Sequence, residues 1–243
     1  MLAALLATAT AKYAHASPHR MIRPAMGWKR AAATASSTAP LLQRVVHLAM
    51  QGDLDSAVMA MDGLTGADLG ITADDVRPGG PVGYHHVYSD PTVSIGVFAL
   101  PAGTCLPLHD HPGMTVLSKL LFGKLIVNSY DRPDVNPPPP SASRLFGALR
   151  SPRVLTCAAP AVHTVGAPCA PLRLDPIQGN IHSFEALEAT AIFDVLAPPY
   201  DNQRSCHYYE VEASSAGQHK LREVSWPPSL HIVNRPYLGT SPL

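Results

Sequence analysis

The chain has 243 residues, of which 46% are hydrophobic and 15% are charged, and this is enough for one domain with a sizeable core. Its 18 basic residues balance its 18 acidic ones, so no overall field favours nucleic acid or an anionic membrane as a partner. No stretch approaches the roughly 18 consecutive apolar residues of a membrane-spanning helix, and the chain is therefore expected to be soluble.

The first predicted segment, 1–40, differs in composition from the rest of the chain. Basic residues, alanine, serine and threonine dominate it, and no acidic residue precedes Asp53. This composition is typical of a mitochondrial or plastid transit peptide, but a disordered basic tail has it too. The four cysteines form no CxxC pair, which favours a reducing compartment. We expect a cytoplasmic protein, with a mitochondrion or plastid as the alternative.

A single domain is expected over residues 41–243, and it begins with a helical preface at 41–66. Apolar residues recur at helical spacing from about Leu41 to Gln51, which predicts a first helix. A turn follows, and a second short helix is predicted from Leu54 to Leu64. The preface is not expected to hold chemistry.

The pattern changes at Val82, and the barrel core is predicted over residues 82–212. Short β-branched or apolar runs alternate there with proline and glycine, which is typical of an all-β sandwich or barrel. Four consecutive prolines, Pro137 to Pro140, cannot lie inside a sheet and predict an exposed loop between two halves of the barrel. The predicted strands are Val93 to Leu100, Leu117 to Phe122, Leu125 to Tyr130, Ala191 to Leu196, and Cys206 to Glu212.

Two histidines at alternate positions, His109 and His111, are the strongest chemical signal. In an extended strand, residues at this spacing project to the same face, so both imidazoles can meet one metal ion. Imidazole suits iron, copper, nickel and zinc alike. Two ordinary polar residues on a strand would have the same spacing, so the surrounding residues must decide.

The residues around this histidine pair resemble the first cupin motif. That motif has one glycine before the pair and a second that closes the hairpin, and Gly103 and Gly123 occupy these places. Thr115 and Val116 stand where the motif has a glutamate, so this hairpin supplies no carboxylate ligand. The resemblance implies an all-β cupin fold, a double-stranded β-helix or jelly-roll barrel, behind the helical preface.

A third ligand, His182, is predicted from Gly179-Asn180-Ile181-His182. This segment resembles the Gly-x-x-His of the second cupin motif, although Pro176 lies one residue out of register. With His109 and His111 it makes three neutral histidines, which leave a divalent ion with its full charge and with open positions. Such a site suits an anionic thiolate and dioxygen. On ligands alone, a zinc enzyme fits as well.

Longer stretches around these histidines are similar to the family of plant cysteine oxidases and cysteamine (2-aminoethanethiol) dioxygenases. Members of this family use Fe(2+) on three histidines to add both atoms of O2 to a thiol, which gives a sulfinic acid. The resemblance implies the same cofactor and the same ligands here. The similar stretches are L-P-L-H-D-H-P-G-M-T-V-L-S-K-L-L-F-G from Leu106 to Gly123, G-N-I-H-S-F from Gly179 to Phe184, and D-V-L-A-P-P-Y from Asp194 to Tyr200.

The resemblance also implies four further site residues. Asp194 and Tyr200 match positions near the family's active site, where a carboxylate can orient a histidine or receive the ammonium group of a substrate. Asp194 could equally cap the end of a strand. Cys206 and Tyr208 lie two apart on a predicted strand, and some family members join such a pair by a thioether. A half-buried cysteine beside a core aromatic residue is the plainer alternative.

The function implied by the resemblance is a non-haem iron thiol dioxygenase. Its substrate would be the N-terminal cysteine of a peptide or protein, whose oxidation reports oxygen supply in the family, or cysteamine. Both carry a thiol two carbons from a free amine, and we favour N-terminal cysteine. A monomer without nucleic-acid or membrane partners is expected. A non-catalytic metal-binding cupin and a zinc-dependent cupin enzyme are the alternatives.

Overall fold

The computed structural model describes residues 40–133, 152–202, 204–215 and 217–243. Residues 1–39 of the predicted basic tail and the predicted loop at Pro137 to Pro140 lie outside these ranges. Among the described residues, no helix is both long and apolar enough to cross a lipid bilayer.

Two α-helices form the preface, with α1 over Leu41–Met50 and α2 over Leu54–Met61. The side chain of Asp53 caps α2, because its carboxylate accepts a hydrogen bond of 3.1 Å from the backbone N–H of Ser56. This bond satisfies a donor that the helix itself leaves unpaired. The short helical preface predicted from the sequence is confirmed. Two 3-10 turns follow it, at Ala67–Leu69 and Ala73–Asp75.

Thirteen strands within the described residues form two sheets. The strands are β1 (Val82–Ser89), β2 (Ser94–Leu100), β3 (Cys105–Asp110), β4 (Thr115–Phe122), β5 (Lys124–Tyr130), β6 (Val154–Ala158), β7 (Ala161–Gly166), β8 (Leu172–Leu174), β9 (Ile181–Ala186), β10 (Thr190–Ala197), β11 (Tyr208–Ser215), β12 (Gln218–Val224) and β13 (Ile232–Arg235). The first sheet has the order β13-β1-β2-β10-β4-β8, and the second has the order β6-β12-β11-β3-β9-β5-β7. The two sheets pack face to face, and apolar residues of both, such as Phe98 and Phe184, fill the space between them. The predicted all-β cupin barrel is confirmed.

The alternation of side chains along the first sheet decides which residues reach the barrel interior. On β10, Phe193 and Val195 pack against the helical preface, whereas Ile192 and Asp194 face the opposite side, toward the second sheet. All seven residues of β2 are buried, because the helices cover one of its faces and the barrel interior covers the other. A polar residue at an even-numbered position of β10, such as Asp194, therefore points into the barrel.

Gly123 connects β4 to β5 with a φ of +91°. A side chain there would collide with the backbone of Ala189 and Thr190, and residues other than glycine rarely adopt such a φ. Steric contact and the positive φ therefore explain why the hairpin of the predicted motif requires glycine at this position.

The barrel also extends beyond the predicted end at residue 212. β12 pairs with β11 and β6, and β13 pairs with β1. The strand β11 begins at Tyr208 rather than at Cys206. The predicted strand start at Cys206 is therefore wrong by two residues, and Cys206 lies just before β11.

Candidate metal centre

Three buried histidines meet inside the barrel. His109 on β3 is the register partner of His182 on β9, and His111 comes directly after the end of β3. The centroids of the three rings lie 4.7 to 5.0 Å apart, and one ligand atom from each ring lies within 4.8 Å of the other two. This cluster of described residues could hold one metal ion, and it includes no carboxylate or thiol.

The three imidazoles are in the charge state that a metal requires. Burial lowers the pKa of all three histidines, and the mutual repulsion of the rings lowers the pKa of His111 and His182 further. A metal binds the neutral imidazole through a free lone pair. The cluster is therefore neutral near pH 7 and ready to accept a cation.

Hydrogen bonds fix which nitrogen faces the cluster in two of the rings, those of His109 and His111. The Nδ1–H of His109 donates to the carbonyl of Pro107 at 2.8 Å. The Tyr200 hydroxyl donates to the carbonyl of Asp110 at 2.7 Å, so the Nδ1–H of His111 must donate to the phenol oxygen, 2.8 Å away. Both Nε2 atoms therefore keep their lone pairs. The Nε2 of His111 is buried without a hydrogen-bond partner, which fits a metal ligand.

Replacing Tyr200 with phenylalanine should weaken metal binding without removing a ligand. The phenol holds the His111 ring by the Nδ1 hydrogen bond and by stacking, with 5.4 Å between ring centroids. Loss of such an outer partner costs about 10- to 100-fold in metal affinity. Titration of the metal-free protein with Co²⁺, followed by absorbance, measures this change. Tyr237→Phe is the matched control, because that hydroxyl donates to the Thr240 carbonyl. An unchanged Co²⁺ affinity in Tyr200→Phe would contradict the assignment.

A buried ionic network fixes the end of β3, where the first two histidines lie on either side of Asp110. Asp110 lies between them and accepts hydrogen bonds from Arg132 at 2.6 Å, from the Tyr209 hydroxyl at 2.9 Å and from the backbone N–H of His207 at 2.8 Å. Burial alone would raise the pKa of Asp110, but His207 and the Arg132 guanidinium hold it below its usual value. The carboxylate therefore stays ionised and ties β3 to β11.

A small cavity borders the three histidines and is otherwise mainly apolar, with Phe98, Leu106 and Leu230 among its walls. Asp194 reaches this cavity from β10 and is only 7% exposed. Burial raises the pKa of Asp194 to about 7, although a hydrogen bond with Ser118 acts in the opposite direction. Its Oδ1 atom has no hydrogen-bond partner. An ionisable acceptor thus faces the cavity.

Tyr208 and Cys206 lie on the same side as the cluster. Tyr208 lines the cavity and pairs with His109 across β11 and β3, and its buried hydroxyl has no nitrogen or oxygen partner. Although Cys206 precedes β11, its thiol interacts with the hydroxyls of Tyr200 and Tyr208. Burial raises the pKa of Cys206, so the thiol is protonated near pH 7. The thioether between Cys206 and Tyr208 stays a prediction.

Sequence reasoning assigned no role to Asn180, although the residue stands inside the second motif. Its side-chain amide donates to the carbonyls of His111 and Asp175, at 2.8 Å each, and its Oδ1 accepts from the backbone N–H of His111 at 3.3 Å. A fully buried amide must find such partners. Its place two residues before His182 was the available signal that it positions the ligands.

Comparison with known proteins gives a family match over residues 55–240, to the family described as PCO_ADO. The chain is 41% identical to the human protein named 2-aminoethanethiol dioxygenase, over 59% of this chain and 60% of that protein. It is 37% identical to plant cysteine oxidase 1 of Arabidopsis thaliana, over 61% of this chain and 52% of that protein. The matches thus span between half and three fifths of these relatives.

Among solved structures, the chain is similar to a Klebsiella pneumoniae protein described as an uncharacterized conserved protein with a double-stranded β-helix domain. The TM-score is 0.38 at 17% identity, over 58% of this chain and 96% of that one.

Proposed function

This chain belongs to the PCO_ADO family, and on that premise we propose that it is an iron-dependent thiol dioxygenase. The reaction is R–SH + O2 → R–SO2H, in which both oxygen atoms end on sulfur and no further reductant is consumed. The preferred substrate is the N-terminal cysteine of a peptide or protein, and cysteamine is the alternative. A monomeric state and a cytoplasmic, mitochondrial or plastid location remain predictions of the sequence.

The observation that carries the proposal is a set of buried polar atoms without partners around one small cavity. Two of them are His111 Nε2 and Asp194 Oδ1. Buried polar atoms are normally satisfied, so atoms left open in a cavity indicate a ligand. A metal ion satisfies the first, and an ammonium group satisfies the second. A substrate with a thiol and a nearby amine fits both features, because its thiol can bind the metal and its ammonium group can donate to Asp194.

Fe(II) held by His109, His111 and His182 would supply a full positive charge, open coordination positions and electrons for O2. The protein side chains exclude water and orient the substrate. The apolar walls at Phe98 and Leu106 exclude water, which strengthens every polar contact inside the cavity. Asp194, when ionised, orients the substrate by its amine and so directs the thiol toward the histidines.

Oxygen uptake by the purified, Fe(II)-loaded protein tests the proposal directly. Cysteamine and a peptide that begins with cysteine are supplied at equal concentration, and mass spectrometry follows the addition of two oxygen atoms to each. We expect uptake with both and faster uptake with the peptide. The peptide with an acetylated N-terminus is the control and should react poorly. No uptake with either substrate would reject the proposal and leave a non-catalytic metal-binding cupin or a zinc-dependent cupin enzyme, because Zn²⁺ has no redox chemistry with which to support oxygen uptake.

Replacing Asp194 with asparagine should remove the preference for amine-bearing thiols. A hydrogen bond to a charged group contributes about 1.5–3 kcal/mol, so kcat/KM for cysteamine should fall about tenfold to a hundredfold. The value for 1-propanethiol, which has a methyl group in place of the amine, should not fall. Assays belong above the Asp194 pKa of about 7, where the wild-type carboxylate is ionised. Glu210→Gln, at an exposed carboxylate, is the matched control. Equal losses on both thiols would contradict the role.

A further inference from the structure

A tyrosine that sequence reasoning did not single out, Tyr84, lies beside Asp194 in the cavity wall. Tyr84 is on β1, 4% exposed, and lines the cavity. Gly96 on β2 is the register partner of Asp194 on β10. A Cβ atom built on Gly96 would lie 2.5 Å from the Tyr84 hydroxyl oxygen. The phenol therefore lies on Gly96 of β2, and its hydroxyl group is close to the carboxylate of Asp194 on the neighbouring strand.

The position of the phenol is fixed by its surroundings. Its ring packs on Phe98, with ring centroids 4.9 Å apart. A Cβ on Gly96 would also meet the ring carbons Cε2 at 2.5 Å and Cζ at 2.7 Å, distances that packed atoms do not tolerate. Glycine at position 96 is thus what allows the tyrosine to lie across the sheet. The strand has an ordinary extended backbone there, so conformational freedom is not the reason for this glycine.

The hydroxyl oxygen of Tyr84 can accept a further hydrogen bond. Its contact with His86 Nδ1 is long, at 3.5 Å, and it also hydrogen-bonds with the side chain of Ser94, so a lone pair of the phenol oxygen is left for a further donor. Burial, and to a smaller extent the charge of Asp194, raise the pKa of Tyr84 well above its usual value, so the phenol is neutral. A neutral phenol donates one hydrogen bond and keeps lone pairs that can accept others. A cavity with a carboxylate and a phenol oxygen side by side has two acceptors for N–H groups.

We propose that Tyr84 is a specificity-determining residue that, together with Asp194, selects substrates with a primary ammonium group. A primary ammonium carries three N–H groups, and a single carboxylate oxygen does not satisfy them in a cavity without water. The phenol oxygen receives one of them. A tertiary ammonium has only one N–H and gains nothing from the tyrosine. The inference rests on the proposed thiol dioxygenase activity and adds the class of amine to it.

The test compares Tyr84→Phe with the wild type on two thiols, cysteamine and 2-(dimethylamino)ethanethiol. The substitution removes one oxygen atom and keeps the ring, so the fold should be retained, and thermal unfolding checks this. We expect kcat/KM for cysteamine to fall about tenfold or more, because the lost bond is made to a charged group. The value for the dimethylated thiol, or its inhibition constant if it is not oxidised, should stay within about twofold. Tyr88→Phe is the matched control, because that hydroxyl donates to Asp90 instead.

A second variant tests the same geometry from the other strand. Gly96→Ala should displace the phenol and reproduce the loss on cysteamine, and combining it with Tyr84→Phe should add little, since both remove one contact. If the wild type consumes no oxygen with any thiol, the proposed function fails. If the wild type is active but Tyr84→Phe keeps the wild-type ratio between the two thiols, this inference alone is wrong. A fully additive double variant would contradict it as well.

Discussion

His182→Ala is expected to lose its metal and its oxygen uptake together. The histidine is 4% exposed and contributes one of the three ligand atoms in the cluster. Two neutral imidazoles would remain, and no other His, Cys, Asp or Glu side chain joins them among the described residues. The loss of metal affinity should therefore exceed the roughly 10- to 100-fold that the loss of an outer partner costs. Metal analysis after gel filtration and an oxygen electrode measure the two effects on one sample.

The matched control for this variant is His163→Ala. His163 is on β7, in the same sheet, but it is exposed and outside the cluster. It should keep the wild-type metal content and oxygen uptake. Because His182 also packs on Phe184, with ring centroids 4.7 Å apart, circular dichroism should show that the variant is folded. A folded His182→Ala protein with full metal content and turnover would show that the ligand set is wrong.

The first two ligands could be predicted from the sequence because their spacing is local, whereas His182 was predicted from its resemblance to the second cupin motif and reaches His109 only through the pairing of β3 with β9. His109 is on β3 and His111 directly follows it, so two residues of separation are enough to bring both rings to one ion. The inward direction of Asp194 follows from alternation on β10, once the helices are known to cover the other face. These features depend on periods of a few residues, which sequence patterns record directly.

The supporting network could not be predicted in the same way. Asp110 meets Arg132 and Tyr209 across 22 and 99 residues of sequence, and only the strand order brings these side chains together. Tyr84 depends likewise on the register of β1, β2 and β10. The late strands β12 and β13 were missed because their residues are mostly exposed or half-buried, so they lack the apolar runs that mark the central strands.

Arg132→Met is expected to produce the largest loss of stability among the variants considered. The Nη1 atom of Arg132 lies 2.6 Å from Asp110 Oδ2, and both side chains are fully buried. Removing one member of a buried ion pair leaves the other charge uncompensated, which costs about 3–5 kcal/mol. The free energy of unfolding in urea, measured on metal-free protein so that metal binding does not contribute, should fall by this amount. Arg222→Met is the matched control, because its ion pair with Glu210 is exposed and should cost about 0–1 kcal/mol.

The double variant Arg132→Met, Asp110→Asn separates two causes of a stability loss, the uncompensated charge of Asp110 and the lost packing of the arginine side chain. If the uncompensated carboxylate is the cause, a neutral amide at position 110 should restore part of the lost stability, even though two polar partners have then been changed. If the cause is lost packing alone, the double variant should be no more stable than the single one. A loss in Arg132→Met no larger than in Arg222→Met would show that this ion pair does not hold the end of β3, where His109 and His111 flank Asp110.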